Sequence, residues 1–188
     1  TTPPRTNFLW QRISQISLGL LVAALALKLT DRLARRTDPL PAIPIPNGYD
    51  ALLAIAREVK VPRGDLVDLD FQTIHLIGQT NRPALKRLSE ALNAQTGVPL
   101  RVQPHWEENH AEDVKRLKRL AVVLGVQSRA ELLDGNTNAS ARCLLDIILL
   151  GQAMSRGGIL SDGINAMTIE TLGAGTLRAQ IAHLDAET

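Results

Sequence analysis

The densest run of chemistry-bearing side chains is His105-Trp106-Glu107-Glu108-Asn109-His110-Ala111-Glu112-Asp113, in which two histidines stand among carboxylates. Imidazole and carboxylate are the ligand types of zinc and related cations, and the same groups serve as general acids and bases. His105, Glu108, His110 and Glu112 are therefore the candidates for a metal or for hydrolytic chemistry. The spacing argues against that use. His105 and His110 do not form the i, i+4 pair that puts two ligands on one helix face, and the HExxH order is absent. Acidic residues in a first helical turn complement the helix macrodipole, and Asn109 suits an N-cap for a helix over His110 to Leu124. The expectation is thus a helix start, with no catalytic, metal or cofactor-binding residue. An enzyme using His105, Glu108, His110 and Glu112 is the alternative.

Other nucleophile and phosphate signatures are missing. Neither GxxxxGK[ST] nor GxSxG occurs, and Gly157-Gly158 and Gly173-Ala174-Gly175 follow expected helices where a phosphate loop follows a strand. The single Cys143 falls in an apolar helical pattern, where a thiol behaves as a small core hydrophobe. His75 and His183 stand alone in separate patterns, which suits packed or surface histidines.

Composition bounds what can position such residues. The chain has 188 residues, 3% aromatics and a net charge of +2. Short β-branched clusters among abundant Leu and Ala predict an all-α domain large enough for its own core. Residues 1–48 hold a charge of +4 and the remainder −2. The positive excess therefore brackets one apolar stretch, which suits a membrane surface rather than a phosphate backbone, and no nucleic-acid partner is expected. From Phe8 to Thr30 the chain has no acidic residue and no proline. The charge-free part between Arg12 and Lys28 covers roughly 22 Å as a helix, short of a ~30 Å hydrocarbon core unless Arg12 and Lys28 snorkel. Residues 1–36 are expected to be an uncleaved single-pass anchor. A signal peptide ending at Ala24-Leu25-Ala26 and a buried helix are the competing readings. Gly19 and Ala23 form a small-xxx-small pair through which another membrane helix could pack. Flanking charge favours a cytoplasmic body, whereas a short N-terminal anchor favours export.

Pro39, Pro41, Pro44 and Pro46 make residues 37–48 an extended linker that holds the body off the membrane. Residues 49–188 form the helical domain. Asn47 with Asp50 begins the first helix, and residues 65–80 read as a loop entering a helical turn at Phe71. Asn81 and Pro83 mark a new start, since proline is favoured in a first turn. The helix from His110 ends near Gly125, and Ser128 with Glu131 forms a second capping box before Asp134-Gly135. ASARCLLDIILLGQAMSR is the central buried helix, stopped by Gly157 or Gly158 in a left-handed cap. Asp162 to Leu172 and Thr176 to Asp185 are two helices parted by Gly173-Ala174-Gly175.

The PNGYD segment at Pro46, the helix headed by His110 and the LGQAMSRGG segment ending at Gly158 resemble a family of uncharacterised single-span proteins of planctomycete-type bacteria. That resemblance covers residues 40–188 and implies a bacterial inner-membrane protein, but carries no catalytic residue. Gly135, Ser140, Leu144 and Ile147, and again Ala84, Leu88 and Ala91, are similar to the tetratricopeptide helical hairpin, without its repeat period. Together these readings predict a membrane-anchored helical accessory or scaffold protein that binds another protein or the subunits of a membrane complex. A purely structural subunit packing through Gly19 and Ala23 is the remaining alternative.

Overall fold

The computed structural model describes residues 42–61, 69–101 and 103–187, the side chains of 182–187 excepted. The expected anchor, with Gly19 and Ala23, lies outside them. Among the described residues there are six helices and no strand: α1 (Gly48–Glu58), α2 (Phe71–Lys86), α3 (Leu88–Asn93), α4 (Trp106–Leu133), α5 (Thr137–Ser155) and α6 (Leu160–Glu187). The all-α expectation holds. None of these helices is long and apolar enough to cross a membrane.

α1 starts where its sequence predicts. The Asn47 side chain accepts from the Tyr49 amide, and the same group clamps residue 97, donating to the Gly97 carbonyl at 2.9 Å and accepting from its amide at 3.1 Å. Tyr49, Leu52, Leu53 and Ala56 recur at helical spacing and are buried with Leu88 and Ala91 of α3 and Leu117, Leu120 and Leu124 of α4. A second cluster joins Ile74 and Ile77 of α2 to Val126 and Ala130, farther along α4.

Three expected boundaries are absent because packing overrides the local signal. Asn81 does not begin a helix: α2 runs through it and through Pro83. The buried Asn81 amide donates to the Lys60 and Ile77 carbonyls and accepts from the Lys60 amide, tying the chain beyond α1 to the middle of α2. An interior proline costs a helix ~3 kcal/mol. Here Gln79 and Pro83 both lie on the exposed side, so the carbonyl that loses its donor meets water. Next, α4 begins at Trp106 rather than His110 and continues past Gly125 and Ser128 to Leu133. Ser128 is buried inside it and bonds Ser140 of α5, hydroxyl to hydroxyl at 2.8 Å, so it is no cap. Gln180 of α6 donates to the same Ser140 hydroxyl at 2.9 Å, which makes a polar tie across three helices.

The third missing break is at Gly173-Ala174-Gly175, which lies inside the continuous helix α6. A Cβ on Gly173 would stand 2.9 Å from the Leu144 carbonyl oxygen, and one on Gly151 would stand 2.9 Å from the Ala166 carbonyl oxygen. These two glycines let α5 and α6 approach backbone to backbone. α5 is accordingly sandwiched between α4 and α6, with Leu144, Ile147, Leu150 and Met154 fully buried. Leu145 and Leu149 of α5 are nevertheless exposed, so the helix is less completely enclosed than its composition predicts. Gly157, at φ 71°, supplies the expected left-handed turn after it.

Gly173→Ala is therefore expected to lower the unfolding free energy by about 1–3 kcal/mol in urea titration, as overpacking does. Gly125 has open space at its Cβ position, and Gly125→Ala is expected to raise stability by about 0.5–1 kcal/mol through helix propensity.

Candidate functional site

The His105 to Asp113 run becomes the first turns of α4, and the way it enters decides which side chains meet. Pro104 and His105 form a turn in which His105 takes a left-handed backbone, φ 62°. The Trp106 indole N–H then donates to the Pro99 carbonyl at 3.1 Å, fixing the ring against the preceding segment. Residues four apart share a helix face. His110 consequently stacks on Trp106, ring centroids 4.6 Å apart and planes 9° from parallel.

The partner of His110 comes from far along the chain. Its Nε2 donates to Oδ1 of Asp162, in the first turn of α6, at 2.7 Å. His110 is 8% exposed and Asp162 1%. The second Asp162 oxygen accepts from the Ile159 amide at 2.9 Å, so one buried carboxylate caps α6 and holds α4. Gly158 permits this: a side chain there would collide with the Asp162 carboxylate. Nearby, the Tyr49 hydroxyl is buried with no hydrogen-bond partner among the described residues. Burial first, then the charges of Asp113, Asp162 and Asp50, push the Tyr49 phenol well above its usual range, so it stays neutral.

A cleft of about 630 Å³ opens beside this pair. Glu108, His110 and Glu112 line it with Asp162, whereas His105 does not. His105 points to solvent and pairs with Glu108, Nδ1 to Oε2, at 3.2 Å. Glu112 pairs with Lys115 at 3.5 Å along α4. The four sequence candidates thus divide between an exposed pair, a helical ion pair and a buried contact. Among the described residues no group of three or more His, Cys, Asp or Glu is placed to hold a metal ion. Sequence reasoning missed Asp162 and Tyr49. Asp162, three residues into a helix and beside Gly158, carried a capping signal, but nothing local pairs it with His110.

Cys143 and His75 also depart from their ordinary values. The Cys143 thiol is pushed up to about 11 by burial and by the Asp146 and Glu131 charges, which leaves it unreactive at neutral pH. His75 lies between two acceptors, the Phe71 carbonyl at 3.0 Å and the Asp134 carboxylate at 2.9 Å. Only the imidazolium donates to both, and the hydrogen bond to Asp134 accordingly raises the His75 pKa.

His110→Ala leaves a buried carboxylate without its donor, and urea titration should show a loss of about 3 kcal/mol with the helical far-UV spectrum retained; a loss under about 1 kcal/mol contradicts the structural role. For His75 the folded pKa lies above the unfolded one. Its contribution is therefore complete below about pH 6.5 and disappears as pH rises through the folded value. The Tm gap between wild type and Asp134→Asn should close across that window, and a gap that widens with pH contradicts the pairing. No protein-family model and no solved structure matches this chain, so its own geometry carries the functional reading.

Proposed function

We propose that this is a membrane-anchored, all-α accessory or scaffold protein, in which residues 1–36 hold the chain in a bacterial inner membrane and the helical domain binds another protein. The observation that carries this reading is the outer face of α6. Leu160, Ile164 and Met167 are 83%, 59% and 69% exposed, and Ile181 is about half exposed. Scattered apolar residues are ordinary on a protein surface, but a row of them along one helix is the usual mark of a contact face. Leu145 and Leu149 of α5 add to the exposed apolar surface of the same hairpin.

The charge bias of residues 1–48 and the apolar stretch from Phe8 to Thr30 support the anchor. The helical hairpins α4–α5 and α5–α6 support the likeness to tetratricopeptide-type packing, since Ser140, Leu144 and Ile147 are interior. In this reading the cleft beside His110 carries structure rather than catalysis. The His110 bond to Asp162 ties α4 to the start of α6.

The full chain should remain in carbonate-washed membranes, and deletion of residues 1–36 should release a folded helical domain. A full chain recovered entirely in the supernatant would overturn the anchor.

A further inference from the structure

The cleft beside His110 is one of two that follow each other along a single seam. α4 and α6 run parallel, with α5 reversed between them: His110 meets Asp162 near their starts, and Ser128 meets Gln180 through Ser140 of α5 farther along. Side chains of both helices line the seam in step. Lys115 of α4 and Asn165 of α6 line the first cleft, and Val122 with Leu172, then Val126 with Thr176, line a second of about 680 Å³. Leu144 and Ile147 of α5 also line the second. Both clefts fall within the roughly 300–1,000 Å³ of small-molecule sites.

The chemistry changes in order along this seam. Glu107, Glu108 and Glu112 line its beginning, Lys115 and Lys118 the next turn, and beyond Lys118 the second cleft is mainly apolar. Lys115 meets Glu112 at 3.5 Å, but Lys118 has no ion-pair partner among the described residues. Gly125 leaves open space in the second cleft, with nothing within 4 Å of its Cβ position. A wall that runs carboxylate, ammonium, hydrocarbon is complemented by a molecule that runs cation, anion, hydrocarbon. Ammonium, phosphate and acyl chain follow each other in that order in an aminophospholipid. The lengths agree as well. Glu112 to Val126 covers roughly 21 Å along the helix axis, and half a bilayer with its headgroups is about 20–22 Å. A quaternary ammonium calls for an aromatic cage, and the described residues that line the first cleft include no Phe, Tyr or Trp. A primary ammonium, which donates hydrogen bonds to carboxylates, is the headgroup that fits.

We propose that the seam between α4 and α6 binds one aminophospholipid, with its ammonium at Glu108 and Glu112, its phosphate at Lys115 and Lys118, and an acyl chain passing Gly125 in the second cleft. The site is separate from the exposed row on the outer face of α6, so neither depends on the other. It gives the helical domain a lipid contact of its own, independent of residues 1–36.

The test mixes the full chain, purified in mild detergent, with phosphatidylethanolamine or phosphatidylglycerol and weighs the complexes by native mass spectrometry. One phosphatidylethanolamine per chain is expected, in preference to phosphatidylglycerol. Lys118→Glu should cut its occupancy about fivefold, the scale of a lost and reversed surface pair. Gly125→Leu, which fills the open space, should cut it by a similar factor. Far-UV spectra of each variant establish that the domain is folded. Lys118 is exposed, so its variant tests the site whether or not the larger side chain is accepted at 125. Lipid gathered around residues 8–30 ignores both substitutions. Adducts that persist in both variants, or no adduct at all, therefore overturn the site, and equal binding of the two lipids overturns recognition of the ammonium.

Discussion

The approach of α5 to α6 is limited by two glycines, and much of the fold follows from that limit. Gly151 faces the Ala166 carbonyl and Gly173 the Leu144 carbonyl, each at a spacing that a methyl group would violate. Such an approach brings Ala166 and Ile169 into the core and leaves α6 shared between one buried edge and one free face. It also carries Asp162 to within hydrogen-bond reach of His110. Widening the interval by a methyl group would strain that contact and the Gln180 to Ser140 bond together. α6 is thus held to α4 at Asp162 and to α5 at Gln180, about a constraint in the middle.

Buried polar groups hold the register of these apolar layers. Asn47 clamps Gly97, Asn81 clamps Lys60, Ser128 and Gln180 meet at Ser140, and His110 meets Asp162. Each bond joins segments distant in sequence. Apolar contact is tolerant of small shifts, whereas an unpaired buried amide or carboxylate costs enough to exclude alternatives. The PNGYD and LGQAMSRGG segments gain a physical meaning here. In PNGYD, Asn47 is the clamp and Tyr49 a buried anchor; in LGQAMSRGG, Gly151 gives the close approach, Gly157 the turn, and Gly158 the space for Asp162.

The helical class was legible because Leu and Ala recur at helical spacing, and the ends marked by Asn47, Gly135 and Gly157 were legible because a cap or a positive φ is a local demand. Asn81 and Gly173 misled because their signals are local while their roles are tertiary. An asparagine bonding Lys60 across the fold looks in sequence like an N-cap, and a glycine admitting a neighbouring backbone looks like a helix break. The candidate site was half legible: the His105 to Asp113 run does begin a helix, but its start lies four residues earlier and only His110 turns into the core.

By itself the sequence determined the secondary-structure class and the apolar faces, since periodicity and composition act within a few residues. Only the tertiary structure decided that His110 pairs with Asp162 rather than with Glu112, and that the face carrying Met167 is free while the one carrying Ile169 is buried. The reason is that a helix's period shows which residues share a side, but not which side the neighbouring helices cover. That choice is made by the long-range contacts that only the folded chain contains.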